Sequence, residues 1–437
     1  MVELKKLEDY FPYIGHEIDH QKMFKTKIYQ AIVGNLYDKQ WIHKINDNDI
    51  FVNGDKANSL FSQIKITGIS PHISLAKDEN AVEVLMSRHR SLFDYLVHQP
   101  VHNRLINPNV MILAGDNLFI SKFDNFLRIY GAFMFLRGDA YLKRPGIPKV
   151  FLSQKRYIDE VFPVYLKQQM IEGVGSKKVK MDMILYAEQE KNPLTGQRGG
   201  GRTKTGKLRN LSPIFFNKFK SLVRESKVKL YITAVNISLS KVPEAPYIVH
   251  PTTSKGIFKK ARYIIEQYFT MVSYPRFTRK VPEAKLEAVI QYGKPELFPG
   301  DNLDTVRDVI RYTHTIKERI GRLESVFPLT FLYRAMDKDL ELSIHECDQR
   351  MKELHNKYSS MGVGLEKISD TNGNMMQVEE IIERSINIVN TNPSYMVKEI
   401  KRDNFLKCKA GRIFSNDEKL QAWYANNLRH LDLPAQD

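Results

Sequence analysis

The chain has 437 residues, of which 66 are Lys or Arg and 50 are Asp or Glu, so its formal net charge is +16. With 42% hydrophobic and 27% charged residues, the composition is that of a folded protein of two or three domains, and it excludes bulk disorder and a membrane-embedded chain. The charge favours an acidic partner, which could be nucleic acid, anionic lipid or a phosphorylated small molecule or carrier.

The first 75 residues are predicted to form a small helical cap. Apolar residues recur at near-helical spacing over 21–38, and a shorter helical stretch is predicted near 57–64. The first ten residues carry charges where a secretory signal needs an apolar core, and the two cysteines, Cys347 and Cys408, give no disulfide framework. We therefore expect a cytoplasmic protein that associates with a membrane only peripherally.

Short apolar runs alternate with helical segments between residues 76 and 300. This alternation predicts an α/β domain, a mixed central sheet flanked by helices. The predicted strands are 82–86, 110–114, 131–136, 183–187, 231–239 and 285–291, and the predicted helices are 118–130, 153–171 and 213–225. After residue 300 helical periodicity returns over 302–358, 376–390 and 415–430, which predicts a helical C-terminal region over 301–437.

The segment 189–210, QEKNPLTGQRGGGRTKTGKLRN, is rich in glycine and basic residues and has no acid after Glu190. Such a loop after a strand presents backbone N–H groups and cations to an anion. A flexible solvated insertion is the alternative interpretation.

Two shorter patterns do not carry a function. Residues 16–20 match the H-E-x-x-H pattern of zinc peptidases, but Gly15 breaks the helix that this pattern needs. Residues 201–207 nearly complete a phosphate-binding P-loop, but Leu208 stands where a Ser or Thr should bind Mg²⁺. We expect neither a metal site nor a nucleoside triphosphatase.

The motif HRSLFD, residues 89–94, directly follows the strand 82–86. Ser91 and Asp94 have the spacing of a helix N-terminal capping pair, so His89 lies in the turn before the helix. From there the imidazole can fold back onto the Asp94 carboxylate, which would fix its tautomer. The pair would then be a base and its orienting acid, and a substrate hydroxyl would be the third member of a triad. A plain helix cap beside a surface histidine is the alternative.

Four blocks, in order, resemble those of the glycerol-3-phosphate acyltransferase family, including its bacterial membrane-type enzymes. They are SRHRSLFDYL (87–96), AGDNLFISKFDNFLRIYGAFMFLRGD (114–139), GGRTKTGKL (200–208) and ITAVNISLSKVPE (232–244). The sequence departs from the family's pattern at Gly138 in place of a second arginine, at Gly199 in place of a glutamate, and at Ala234 in place of a proline. The counterpart of that glutamate is Glu188, with an insertion of about eleven residues between it and the glycines.

The resemblance implies transfer of an acyl group from acyl-CoA or acyl carrier protein to the sn-1 hydroxyl of glycerol 3-phosphate, without a metal or prosthetic group. It makes His89 the general base and Asp94 its partner, and it assigns the substrate phosphate to Arg137, Arg202 and Lys204. The residues that it places in supporting roles are Ser91, Glu188, Gly200, Gly201 and Lys207.

Other functions stay open at this stage. Dihydroxyacetone phosphate or lysophosphatidate could be the acceptor, and a chain that has lost activity could be a basic membrane-surface scaffold. A nucleic-acid-binding protein fits the charge, but the 191–209 run lacks the interleaved aromatic residues that base stacking needs, so we expect no nucleic-acid partner. The segment 255–280 could contact an anionic membrane, although its pattern slightly favours an ordinary amphipathic core helix followed by a loop.

Overall fold

A computed structural model describes most of the chain. The described residues are 6–16, 42–44, 46–53, 60–119, 122–144, 146–173, 180–191, 198–200, 205–226, 228–250, 274, 276–391 and 405–432. The helix predicted over 21–38 and most of the segment 255–280 lie outside them.

A mixed ten-stranded sheet is the centre of the described structure, in the order β1-β2-β3-β14-β13-β4-β9-β5-β6, with β15 paired to β13. The strands from β13 to β6 in that order are parallel, so their carboxyl ends meet at one edge. The ten strands are β1 Ile42–Lys44, β2 Asp49–Asn53, β3 Phe61–Thr67, β4 Ala81–Ser87, β5 Val110–Gly115, β6 Ala132–Phe135, β9 Asp182–Leu185, β13 Lys229–Leu239, β14 Leu286–Tyr292 and β15 Glu296–Leu297.

Smaller sheets surround the central one. They form the hairpin β7-β8, the antiparallel sheet β11-β10-β12, the pair β16-β18 and the sheet β17-β20-β19. Their strands are β7 Ala140–Arg144, β8 Ile147–Leu152, β10 Glu188–Lys191, β11 Arg198–Gly200, β12 Asn210–Leu211, β16 Ser325–Val326, β17 Glu341–Ser343, β18 Gly364–Leu365, β19 Leu406–Lys409 and β20 Arg412–Ser415.

Helices cover both faces of the central sheet. One of them, α5, is continuous but irregular, with the pieces Gln154–Arg156, Tyr157–Val161, Phe162–Leu166 and Lys167–Glu172. The others are α1 Phe11–Ile14, α2 Ser70–Leu75, α3 Leu92–Leu105, α4 Lys122–Ile129, α6 Pro213–Arg224, α7 Ala245–Val249, α8 Val306–Arg322, α9 Pro328–Met336, α10 Ile344–Ser360, α11 Val378–Asn390 and α12 Glu418–Asn426.

Alternation along the strands divides the core into two layers. Leu85 of β4 packs in the cluster that contains Leu96 of α3, whereas its neighbours Val84 and Met86 pack in the cluster that contains Phe216 of α6. This period of two is what a strand buried on both faces requires. The Leu85 layer also includes α9 to α12, so the C-terminal helices complete the core that supports β4.

The prediction of an α/β fold, with a mixed sheet flanked by helices, is confirmed. The helix predicted near 57–64 is wrong, because Phe61–Thr67 forms β3, which pairs with β2 and β14. The spacing of Leu60, Phe61 and Ile64 fits a helix as well as a strand, and the backbone partners on β14 decide between them. Strands β1 to β3 join β4 in one sheet, which therefore crosses the boundary predicted at residue 75.

The described helices do not include one that combines the length and the apolar character needed to cross a bilayer.

Candidate active site

Three loops meet at the carboxyl edge of the parallel strands. They follow β13, β4 and β9, which are neighbours in the sheet in that order. The loop after β4 carries His89, the loop after β9 carries Tyr186 and leads to Glu188, and the loop after β13 carries Glu244. Open α/β sheets bind ligands in crevices at this edge, so the sequence-predicted motif occupies a position suited to a site.

The turn that carries His89 ends in a capping box. Ser91 is the N-cap of α3 and accepts a hydrogen bond from the Phe93 N–H at 3.1 Å. Asp94 Oδ2 accepts from the N–H groups of Arg90 at 2.6 Å and Ser91 at 2.7 Å. The buried carboxylate of Asp94 is therefore fixed by backbone donors in the positive field of the helix N-terminus.

His89 lies where the sequence predicts it. Its Nδ1 is 3.5 Å from Asp94 Oδ2, and the side chain keeps 15% of its surface exposed. The ring packs against Tyr186, with 5.0 Å between the ring centroids. With Nδ1 facing the carboxylate, Nε2 is the nitrogen that can take a proton from a substrate. The structure thus brings His89, Asp94 and Ser91 together in the predicted arrangement.

A second carboxylate, Glu244, lies at the same helix end. It accepts from the Ser91 hydroxyl at 2.9 Å and from the Leu92 N–H. Glu244 comes from the loop after β13, so it ties the start of α3 to the fourth sequence block. Hydrogen bonds from donors at a helix N-terminus stabilise such a carboxylate.

The structure explains how Glu188 reaches the glycine-rich segment. Strand β10, which begins at Glu188, pairs antiparallel with β11, and Gln189 lies opposite Gly200. The described ends of the insertion, 189–191 and 198–199, are therefore paired in two antiparallel strands, and this pairing places Glu188 close to Gly200. The buried Glu188 carboxylate accepts from the His89 N–H at 2.9 Å and from the Arg209 N–H at 3.0 Å. It joins the turn of His89 to the end of the basic segment.

The two arginines that flank His89 are buried and share one carboxylate. Arg90 Nη1 lies 2.7 Å from Glu324 Oε1, and Arg88 Nη1 lies 3.1 Å from Glu324 Oε2. Burial by itself would raise the pKa of Glu324, but Arg90 and Arg88 outweigh it and bring the pKa to about 2. Burial, followed by the repulsion from Arg90, lowers the pKa of Arg88 to about 10, so Arg88 is charged at neutral pH.

The C-terminal region also contacts the third block. Arg88 Nη2 donates to the Gly206 carbonyl and, at 2.9 Å, to Asn427 Oδ1. Asn426 donates to the Thr205 carbonyl at 2.8 Å. Gly206 has a φ of +79°, and a Cβ there would overlap the Trp423 carbonyl oxygen, so only glycine fits this contact.

The predicted phosphate-binding residues are only partly described. Arg202, Lys204 and Gly201 lie outside the described residues, so the clamp that they would form with Arg137 stays a prediction. Lys207 is exposed, next to the fixed Gly206.

Arg137 is exposed just beyond β6, three strands from β4 in the sheet, which is about 14 Å at ordinary strand spacing. Its guanidinium lies against Gly115 at the end of β5, where a Cβ would come within 2.6 Å of Nη2. The space beside Gly138 is open, since no atom lies within 4 Å of a Cβ built there.

Several residues of the site were not predicted from the sequence. Glu244 could have been predicted, because it ends the fourth block, but its hydrogen bond with Ser91 depends on the order of the strands. Tyr186 gave no chemical signal beyond its position after a strand. Glu324 and Asn427 are more than 200 residues from Arg88, and neither lies in a block.

Comparisons with known proteins do not show a family for this chain, so its function is inferred from the sequence and from this geometry. No protein-family model and no curated protein matches the chain. Among solved structures, it is similar to the crystal structure of the 1-acyl-sn-glycerophosphate (LPA) acyltransferase PlsC from Thermotoga maritima, at 10% sequence identity over 59% of this chain and 69% of that chain, with a TM-score of 0.27. A likeness at this level does not bear on the activity of this chain.

Proposed function

We propose that the protein is an acyltransferase that moves a fatty acyl group from an acyl thioester to the sn-1 hydroxyl of glycerol 3-phosphate. The observation that carries the proposal is the His89–Asp94 pair, 3.5 Å apart at the start of α3 and at the carboxyl edge of the sheet. A half-buried imidazole beside a carboxylate fixed by backbone donors is suited to general-base chemistry on a hydroxyl.

The reaction needs no group beyond the two substrates. His89 Nε2 takes the proton of the acceptor hydroxyl while its oxygen attacks the thioester carbonyl carbon. The tetrahedral intermediate then collapses, the carbon–sulfur bond breaks, and the imidazolium returns the proton to the leaving thiolate. Asp94 stabilises the imidazolium between these steps. General-base action of this kind is worth roughly 10²- to 10⁴-fold in rate.

The acceptor is assigned from the resemblance of the second and third blocks and from charge. Arg137, Arg202 and Lys204 would bind the phosphate, with arginine supplying forked hydrogen bonds and lysine a point charge. Anchoring the phosphate would hold the hydroxyl close to His89, so much of the rate would come from positioning. Acyl-CoA and acyl carrier protein are both acidic, and the net charge of +16 suits either donor.

Thiol release from palmitoyl-CoA and from palmitoyl acyl carrier protein tests this proposal. Each donor is offered with glycerol 3-phosphate, dihydroxyacetone phosphate, lysophosphatidate or unphosphorylated glycerol. We expect turnover that requires glycerol 3-phosphate and is lost in His89→Ala, while His314→Ala, at an exposed histidine of α8, keeps it. Turnover with another acceptor would move the assignment to that acceptor. Thiol release that is equal in wild type and His89→Ala would refute the proposal that this protein is an acyltransferase with His89 as its base.

An anionic membrane surface is part of the same proposal, because the acyl product is a lipid and the chain is basic. Sedimentation with vesicles of phosphatidylcholine and phosphatidylglycerol tests it. We expect binding that falls as salt rises from about 0.05 to 0.5 M, since salt screens surface charge. Binding that resists salt and is reversed only by detergent would contradict an electrostatic attachment.

A further inference from the structure

We propose that Glu324 is a positioning residue for His89, and that it acts by holding Arg88 and Arg90, the residues on either side of the base. The proposal deepens the function proposed above and depends on it for its activity measurements. It assigns a role in the site to a carboxylate that lies in the C-terminal region, directly after α8.

Glu324 is the shared acceptor of three donors. Oε1 accepts from Arg90 at 2.7 Å and from the Ser238 hydroxyl at 3.0 Å, and Oε2 accepts from Arg88 at 3.1 Å. Ser238 Oγ also accepts from the Ser325 N–H at 3.0 Å, which fixes the backbone next to Glu324. The carboxylate is 2% exposed, so these bonds have little competition from water.

The two arginines then fix the backbone around His89. Arg90 reaches across to the Ile237 carbonyl of β13, while Arg88 reaches to Asn427 and to the Gly206 carbonyl. Held on both sides in this way, residue 89 has little freedom to rotate its backbone. A base must lie within hydrogen-bond reach of its proton, so this constraint bears directly on the rate.

Charge explains why a carboxylate is needed at this point. Two buried guanidinium groups that bond the same carboxylate repel each other, and a buried charge without a counter-charge is strongly destabilising. One carboxylate between them offsets this repulsion and also sets their geometry, because each guanidinium donates one hydrogen bond to a different oxygen of Glu324. A neutral amide at 324 could keep the shape but not the balance of charge.

The test compares Glu324→Gln with Asp182→Asn. Asp182 is another buried carboxylate of the sheet, which accepts from Asn107 at 2.6 Å and lies outside the site. We expect Glu324→Gln to lower kcat on the order of 10²-fold, with the KM for palmitoyl-CoA within about twofold of wild type. Asp182→Asn should keep the wild-type kcat once the folded fraction is matched. Equal losses of kcat in both variants, in step with Tm, would overturn the proposal.

Glu324→Gln leaves two arginines short of a partner and could fail to fold, so Arg90→Lys is the second variant. Lysine keeps the charge beside Glu324, but one ammonium group cannot also span to the Ile237 carbonyl. We expect kcat to fall about tenfold with Tm changed by only a few degrees. An unchanged kcat in Arg90→Lys would overturn the proposal.

A measurement that needs no turnover separates this proposal from the proposed function. Diethyl pyrocarbonate modifies neutral imidazoles, and peptide mass spectrometry gives the rate at each histidine. In Glu324→Gln and Arg90→Lys we expect His89 to react about threefold faster or more, because its turn is released, while the exposed His314 keeps its rate. Equal His89 rates in wild type and both variants would refute positioning, even if the wild type has His89-dependent turnover. Faster modification in a protein without turnover would support positioning and refute the acyltransferase.

Discussion

Replacing Asp94 with Asn removes one charge from the proposed site and keeps the shape of the side chain. Both backbone bonds at this position, from the Arg90 and Ser91 N–H groups, go to the same oxygen, Oδ2. The amide oxygen of Asn can occupy that place and keep both bonds. The stability lost is then the charge at the helix N-terminus, about 0.3–1 kcal/mol, together with the amide NH2 that is buried without an acceptor in the place of Oδ1, about 1–3 kcal/mol. The free energy of unfolding of a domain is about 5–15 kcal/mol, so the variant should stay folded.

The activity should fall although the variant stays folded. At the 3.5 Å between His89 Nδ1 and Asp94 Oδ2, and with an effective dielectric constant of about 20, a carboxylate stabilises an imidazolium by about 5 kcal/mol. That is about 10³-fold in rate for a fully formed cation, so we expect kcat to fall by roughly 10²- to 10³-fold. Steady-state kinetics with palmitoyl-CoA and glycerol 3-phosphate measure the fall, and urea unfolding measures the stability.

Asp308→Asn is the matched control for this substitution. Asp308 is the third residue of α8, and it accepts from the N–H of its cap, Thr305, at 3.0 Å, so the same chemical change is made in the same motif. This variant should keep kcat. A kcat for Asp94→Asn within about tenfold of wild type would refute the charge argument, and so would an equal loss of kcat in Asp308→Asn.

His430, Gly206 and Arg137 can each be tested by one substitution. Burial, and then the charge of Arg88, lowers the pKa of His430 from 6.5 to about 4. As pH falls, the unfolded chain therefore takes up the proton before the folded protein does. About 3 kcal/mol of the free energy of unfolding is lost between about pH 6.5 and about pH 4. Urea unfolding at several pH values should show this loss in wild type and a weaker one in His430→Gln; equal pH slopes would contradict it. Gly206→Ala should lower Tm by several degrees more than Gly146→Ala. Both glycines have a φ of +79°, but only at Gly206 would an added Cβ meet other atoms. Equal losses of Tm would show that the contact with Trp423 does not affect stability. Arg137→Leu should raise the KM for glycerol 3-phosphate about 10- to 100-fold, the value of a forked hydrogen-bonded contact to phosphate, and an unchanged KM would remove Arg137 from the clamp.

Local pattern was enough to predict six of the ten strands of the central sheet and the first site residues. The strand 82–86, the cap at Ser91 and the return of His89 onto Asp94 all depend on residues close in sequence, whose geometry follows from the start of a helix. The spacing that predicted a helix near 57–64 failed because strand pairing with β14, more than 200 residues away, decides the structure of that segment.

The residues that support the site could not be predicted from the sequence for the same reason. Glu324 and Asn427 meet Arg88 only because the C-terminal helices pack on the core behind β4. The relation of Glu188 to Gly200 was predicted from block order, but what brings them together is the pairing of β10 with β11, which block order does not show. Contacts between distant segments are set by topology, and a single sequence carries little information about topology.

A single-turnover measurement of ester formation shows whether His89 acts as the base in acyl transfer. Radiolabelled palmitoyl-CoA is mixed with excess enzyme and glycerol 3-phosphate, and labelled lysophosphatidate is quantified over time for wild type and for His89→Gln. If His89 is the general base, we expect acceptor-dependent ester in wild type and a rate lower by roughly 10²- to 10⁴-fold in the variant. Ester formed at equal rates by both proteins, or no ester with any phosphorylated acceptor, would contradict this expectation.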